Sequence, residues 1–163
     1  MHEKGEQSKD NSIKENYDFM KDSLRMKSDY SVLDRYFSLG EIDDNVRVLK
    51  KIRSKITDQL EDYSKLLEDL MSPDSNLKDI IESKELDESE RNTVFKTYKK
   101  LRYFIRWSNI CELKNTDEAD AEFIDECMRS FPEIHNEILL VVEKLKLCWS
   151  KDIPTSERIE YFG

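Results

Sequence analysis

The segment KTYKKLRYFIRW, Lys96 to Trp107, places five basic residues and four aromatics in twelve positions of a chain whose formal net charge is −9. Cations beside flat rings are what a phosphate-and-base surface uses, the cations for the backbone and the rings for stacking. On a helix, at about 100° per residue, the segment divides into two faces. Val94, Tyr98, Leu101 and Ile105, with Phe104 and Cys111 at the margin, form an inward face. The opposite face gathers Lys96, Lys99, Lys100 and Arg106 around Tyr103, Trp107 and Ile110. Lys96, Lys99, Lys100, Tyr103, Arg106 and Trp107 are therefore the candidate surface for a partner or a nucleic acid. The structural alternative is a helix sandwiched between two neighbours, with the rings buried and the Lys and Arg stems running around them. That alternative is the expectation, because aromatic stripes at helical spacing mostly serve cores.

The run TDEADAEFIDE, Thr116 to Glu126, invites a metal reading. It lacks the alternating ligands and central glycine of a calcium loop, and Glu122 with Glu126 is an ordinary helical spacing. A di-iron bundle needs Glu-x-x-His motifs on two helices, and the chain has none. A solvated acidic face, its first charges complementing a helix N-terminus, is the expectation, with no metal and no cofactor. His135 is the one histidine outside the N-terminal segment, and Cys127 lies eight residues before it without a recognised catalytic spacing. Phosphate loops, dinucleotide fingerprints, nucleophile elbows and zinc ligand sets are all missing from the sequence. An enzyme, the least favoured class, would have to use an unmarked pocket near Cys127, His135 and Glu137.

The elements that must position these residues are helical. With three glycines and three prolines in 163 residues, the chain has few of the residues tight hairpins need, which argues against an all-β fold. Residues 1–12 read as a disordered tail and 13–163 as a single all-α domain, a bundle of five or six helices. Tyr17, Met20, Leu24, Leu33, Tyr36 and Phe37 recur at helical spacing, with a restart near Ser28-Asp29 and a left-handed cap at Gly40. In the next segment Ile42, Leu49, Ile56, Tyr63 and Leu70 hold one heptad position, and Ile52, Leu66, Val46, Leu60 and Leu67 widen the stripe. A helix from Asp43 to Met71 would be about 43 Å long, enough to line a bundle or to pair with a second copy as a coiled coil.

A short helix is expected over 74–86 with Leu77, Ile80 and Ile81 inward. Asp87 and Glu90 form a capping-box pattern for a helix to about Leu113. A further helix is read over 116–128, and Pro132 is taken to open the last one, with Ile134, Ile138, Val141, Leu145 and Cys148 inward and Leu139, Val142 and Trp149 widening its apolar face. A terminal turn over TSERIEYFG completes the reading.

Charge and cysteines narrow the function. Thirty-six acidic residues against 27 basic ones give a field that repels nucleic acid and anionic membrane, so such binding would have to be local. Residues 87–114 carry seven basic and four acidic side chains, and 115–163 five and twelve. Cys111, Cys127 and Cys148 sit in apolar surroundings and read as buried reduced thiols, hence an intracellular, cytoplasmic setting; no leader or membrane span is apparent. The resulting expectation is a non-catalytic helical interaction or assembly module, self-pairing as a homodimer or binding a protein partner. The alternatives are a nucleic-acid-associated factor using residues 96–107, and an enzyme.

Overall fold

Helix formers dominate the chain; among the described residues Gly40 and Pro73 lie between α-helices, and Gly5 and Pro132 lie inside them. A computed structural model describes residues 3–42, 46–73 and 76–151, with side chains from Ser12 onward. It is an all-α helical bundle: α1 (Glu3–Leu24), α2 (Tyr30–Phe37), α3 (Val48–Met71), α4 (Leu77–Lys84), α5 (Glu88–Lys114) and α6 (Asp117–Cys148), with a 3-10 turn at Leu39–Glu41 and no strand among the described residues. The chain clusters into two compact units. One holds residues 1–62 and 101–132, the other residues 63–100 and 133–163, so α3, α5 and α6 each contribute to both.

In the first unit the restart near Asp29 separates α1 from α2. Asp29 stands at the N-cap of α2, but its carboxylate takes an ion pair from Lys21 rather than a backbone amide. The carboxylate of Asp125, from α6, accepts from the amides of Lys27 and Ser28 at 2.8 and 2.9 Å and from the Ser28 hydroxyl at 2.7 Å. Tyr17, fully buried, donates to the Ser28 carbonyl at 2.8 Å. The core is continuous: Leu33, Leu49, Ile52, Ile56, Leu60, Leu101, Phe123 and Ile124 are sealed from water, and Phe131 packs on Phe37 at 4.7 Å between ring centres.

Several boundaries differ from the sequence reading. α1 begins at Glu3, so a stretch expected as a tail is helical backbone; Glu, Lys and Gln propagate a helix readily once a buried turn at Ile13 and Tyr17 anchors it. The left-handed cap is Ser38, φ 50°, and not Gly40, which lies in the 3-10 turn where its amide and that of Leu39 point at the Asp34 carboxylate. α3 opens at Val48, after a left-handed Arg47, and spans about 36 Å; the expected start at Asp43 lies outside the described residues, and Val46 is exposed. The heptad residues Ile42, Leu49, Ile56 and Leu70 are buried, and Tyr63 partly so, within the chain's own units.

Pro132 does not open a helix. It sits on the exposed side inside α6, where it removes one main-chain hydrogen bond. Its buried neighbours Met128, Phe131 and Ile134 hold the helix through it. Thr116 starts α6, its hydroxyl accepting from the Ala119 amide at 3.3 Å.

In the second unit the capping box is as read: the Glu90 amide donates to Asp87 and the Asp87 amide to Glu90, both at 2.8 Å. α4 is shorter than expected and Leu77 is exposed, while Asn76 caps it by accepting from the Asp79 amide at 2.9 Å. Leu67, Leu70, Val94, Ile134, Ile138 and Leu145 form the core. Leu139, Val142 and Trp149, expected to widen the apolar face of the last helix, are exposed, Trp149 donating to Glu82 at 2.8 Å. The terminal turn read over TSERIEYFG lies outside the described residues. No helix is long and apolar enough to cross a membrane among the described residues.

Candidate interaction surface

The basic and aromatic residues of α5 separate by unit. Lys96, Lys99 and Lys100 belong to the second. Lys96 is exposed, Lys99 lies over the exposed Phe95 ring at 5.9 Å, and Lys100 pairs with Glu133 at 3.1 Å. Tyr103, Arg106 and Trp107 belong to the first unit, where Leu101, Phe104, Ile105 and Cys111 are buried as read.

The expected second neighbour does not cover the opposite face. Tyr103 is 62% exposed, Ile110 50% and Leu113 87%. Only Trp107 is half covered: Phe104 stacks on it at 6.3 Å and Phe123 meets it edge-on at 6.0 Å. Tyr103 in turn stands edge-on to Trp107 at 6.0 Å, so a half-covered ring props up an exposed one. Arg102 and Arg106 flank this group, and neither has an ion pair among the described residues. Leu113 was missed in the sequence, where its place near a helix end concealed that it continues the same face.

This face is held in place from beneath by a residue the sequence gave no reason to single out. Arg53, buried on α3, donates through Nε to Asp120 at 2.6 Å, through Nη1 to the Ser108 hydroxyl at 2.8 Å and carbonyl at 3.2 Å, and through Nη2 to Glu112 at 2.5 Å. Thr57 extends the chain to the Ser108 hydroxyl at 2.7 Å, and Lys50 reaches Glu112 at 2.6 Å. Burial works against the Arg53 charge, but its hydrogen bonds to Glu112 and Asp120 outweigh it and hold the group above its ordinary range. Lys50, then Arg53, hold the Glu112 carboxyl down at about 2. Burial pushes the Asp120 carboxyl up, and Arg53 opposes that. Asp120 and Asp125 thus leave the solvated acidic face expected of this run and serve as internal ties. A signal was present for Asp120, which recurs at the spacing of Phe123, Ile124 and Cys127 on the inward side of α6; Asp125 lies off that stripe.

Cys127, His135 and Glu137, the residues of the enzyme alternative, do not belong to one unit. Cys127 is sealed in the first unit, its thiol pushed up to about 12 by burial, which keeps it protonated and unreactive. His135 and Glu137 lie in the second unit, where His135 Nδ1 bonds the Tyr63 hydroxyl at 2.9 Å. Glu137 lines an open cleft of about 380 Å³ with Leu67, Leu86, Val94, Leu140 and Lys144, and the cleft includes neither of the other two. No group of three or more His, Cys, Asp or Glu side chains is placed to hold a metal among the described residues, and all three cysteines are free and buried.

Comparison with protein-family models, with curated proteins and with solved structures finds no match to this chain.

Proposed function

We propose that the chain is a non-catalytic helical interaction module whose first unit docks an acidic, apolar segment of a protein partner on the outer face of α5. The observation that carries this is the exposure of Tyr103, Ile110 and Leu113 between Arg102 and Arg106, which have no ion pair among the described residues. Rings and arginines of this kind are the common anchors of protein interfaces. Ile110 and Leu113 favour protein over nucleic acid, since an aliphatic side chain neither stacks a base nor meets a phosphate. Two copies would not pair through this face: an isologous contact would set arginine against arginine.

The test is titration with an amphipathic helical peptide of alternating Glu and Leu faces, and separately with a single-stranded oligonucleotide. The peptide is expected to bind in low salt, and the double change Arg106→Glu with Ile110→Asp to weaken it at least about tenfold, the loss of one charge contact and one apolar anchor. No binding, or binding that ignores the substitutions, would remove the reading. Oligonucleotide binding that depends on Arg106 and Tyr103 would replace it with the nucleic-acid one.

A homodimer is a second reading, favoured by a different face. In the second unit Leu139, Val142 and Leu147 are exposed on α6 with Glu143 and Lys146 among them, and an antiparallel pair of such helices sets Glu143 of one copy beside Lys146 of the other. Light scattering of Leu147→Glu against the native chain tests it; a native chain that is monomeric at every concentration sinks it.

A further inference from the structure

The cleft of the second unit lies between the first half of α5 and the second half of α6, with Leu67 of α3 at its base. Its walls are Leu86, Val94, Ile138, Leu140 and Val141. At about 380 Å³ it falls within the size range of small-ligand sites, and a mostly apolar lining with a few placed polar groups is their usual composition.

Three charged side chains line it, and their pairing is unequal. Lys144 Nζ lies against both carboxylate oxygens of Glu90, so those two charges cancel. Glu137 has no cation among the described residues. Its Oε2 meets the hydroxyl of Thr97, a buried residue whose hydroxyl is shared with the Thr93 carbonyl at 3.0 Å, and no ion pair to Glu137 exists among the described residues. Thr97 therefore fixes the direction of the carboxylate without neutralising it, and the cleft is an apolar chamber with one oriented, uncompensated negative charge. Anions meet repulsion there, and neutral apolar molecules leave the carboxylate with Thr97 alone and its charge unbalanced.

We propose that this cleft binds a small amphipathic amine, its apolar body against Leu86, Val94, Ile138 and Leu140 and its ammonium on Glu137. A charge-assisted hydrogen bond in a partly desolvated setting is roughly twice as strong as a neutral one, so the head group selects the ligand and the apolar wall retains it. The site is independent of the α5 face assigned above to a protein partner.

The experiment titrates the full chain with n-octylamine, 1-octanol and octanoate, of equal length, below their aggregation concentrations, by calorimetry and by amide shift mapping. Octylamine is expected to saturate one site, shifting amides of residues 86–97 and 137–144, at least about tenfold more tightly than octanol, with octanoate weakest. Glu137→Gln is expected to bring octylamine down to octanol while leaving octanol unchanged, which also shows that the variant is folded. Val141→Phe, filling the chamber, is expected to abolish binding of all three. Equal binding of amine and alcohol would overturn the proposal. So would an amine preference that survives Glu137→Gln, or shifts that map away from the cleft.

Discussion

In the first unit a guanidinium and a carboxylate, Arg53 and Asp120, meet in the interior, Asp120 Oδ2 alone lacking a hydrogen bond among its described polar atoms, while in the second the ion pairs reach the surface, that of Lys78 with the buried Asp79 included, beside an open apolar cleft. Arg53 and Asp120 are both buried, and the guanidinium spends its donors on Asp120, Ser108 and Glu112. The ties of the second unit, Lys144 to Glu90, Lys151 to Glu85 and Trp149 to Glu82, lie at or near the surface. Buried networks of this kind are costly to break because a lone buried charge has nowhere to go, whereas exposed pairs contribute little. The difference teaches where stability and where adaptability reside: the first unit is a framed platform for an exposed face, the second a looser shell around a space.

The largest effect should come from unframing the platform. Arg53→Met leaves Asp120 buried without a cation and is expected to cost about 3–5 kcal/mol by urea unfolding, and adding Asp120→Leu should restore part of it. A loss below about 1 kcal/mol would mean that water already serves Asp120, and the contrast between units would fail. Phe123→Ala, in the sealed core, should cost about 3–5 kcal/mol, and Leu145→Ala, beside exposed surface that can relax, about 2 kcal/mol. Equal losses would erase the contrast.

A smaller effect is pH-dependent. The folded Glu112 carboxyl titrates at about 2 against an ordinary 4.5. A depressed carboxyl contributes stability that is present above the unfolded value and lost as pH falls through the folded one. Melting temperatures of the native chain and of Glu112→Gln should therefore differ at neutral pH and converge between about pH 4.5 and 2, and salt should shrink the gap because Glu112 is half exposed. The smallest change is a gain. Ser38 holds a left-handed backbone that glycine adopts freely, so Ser38→Gly should stabilise the first unit by about 1 kcal/mol in the same unfolding assay.

How much of this was legible in the sequence depends on the range of the interaction. The capping box at Asp87 and Glu90, the end of α3 at Met71 and the buried side of α5 from Val94 to Cys111 are local patterns, and each stands where its spacing put it. Pro132 misled because a helix start and a tolerated interior proline look alike until the burial of Phe131 and Ile134 is known. Gly40 misled because Asp34 reaches past Ser38 to hold the next two amides, making Ser38 the residue that turns. The candidate surface was half legible: the sequence marked Tyr103, Arg106 and Trp107 as an anomaly, yet the same spacing fits burial against a second helix.

By itself, then, the sequence determined that the chain is helical, which stripe of α3 is buried, and where basic and aromatic residues gather, because those follow from periodicity and composition. Only the tertiary structure decided that the α3 stripe is buried within the chain, that Arg53 and Asp120 meet across 67 residues, that Tyr103 stays in water, and that Glu137 faces an apolar cleft with no cation paired to it among the described residues. Those outcomes depend on which helix lies against which, and a pattern of period 3.6 names the face that seeks a neighbour without naming the neighbour.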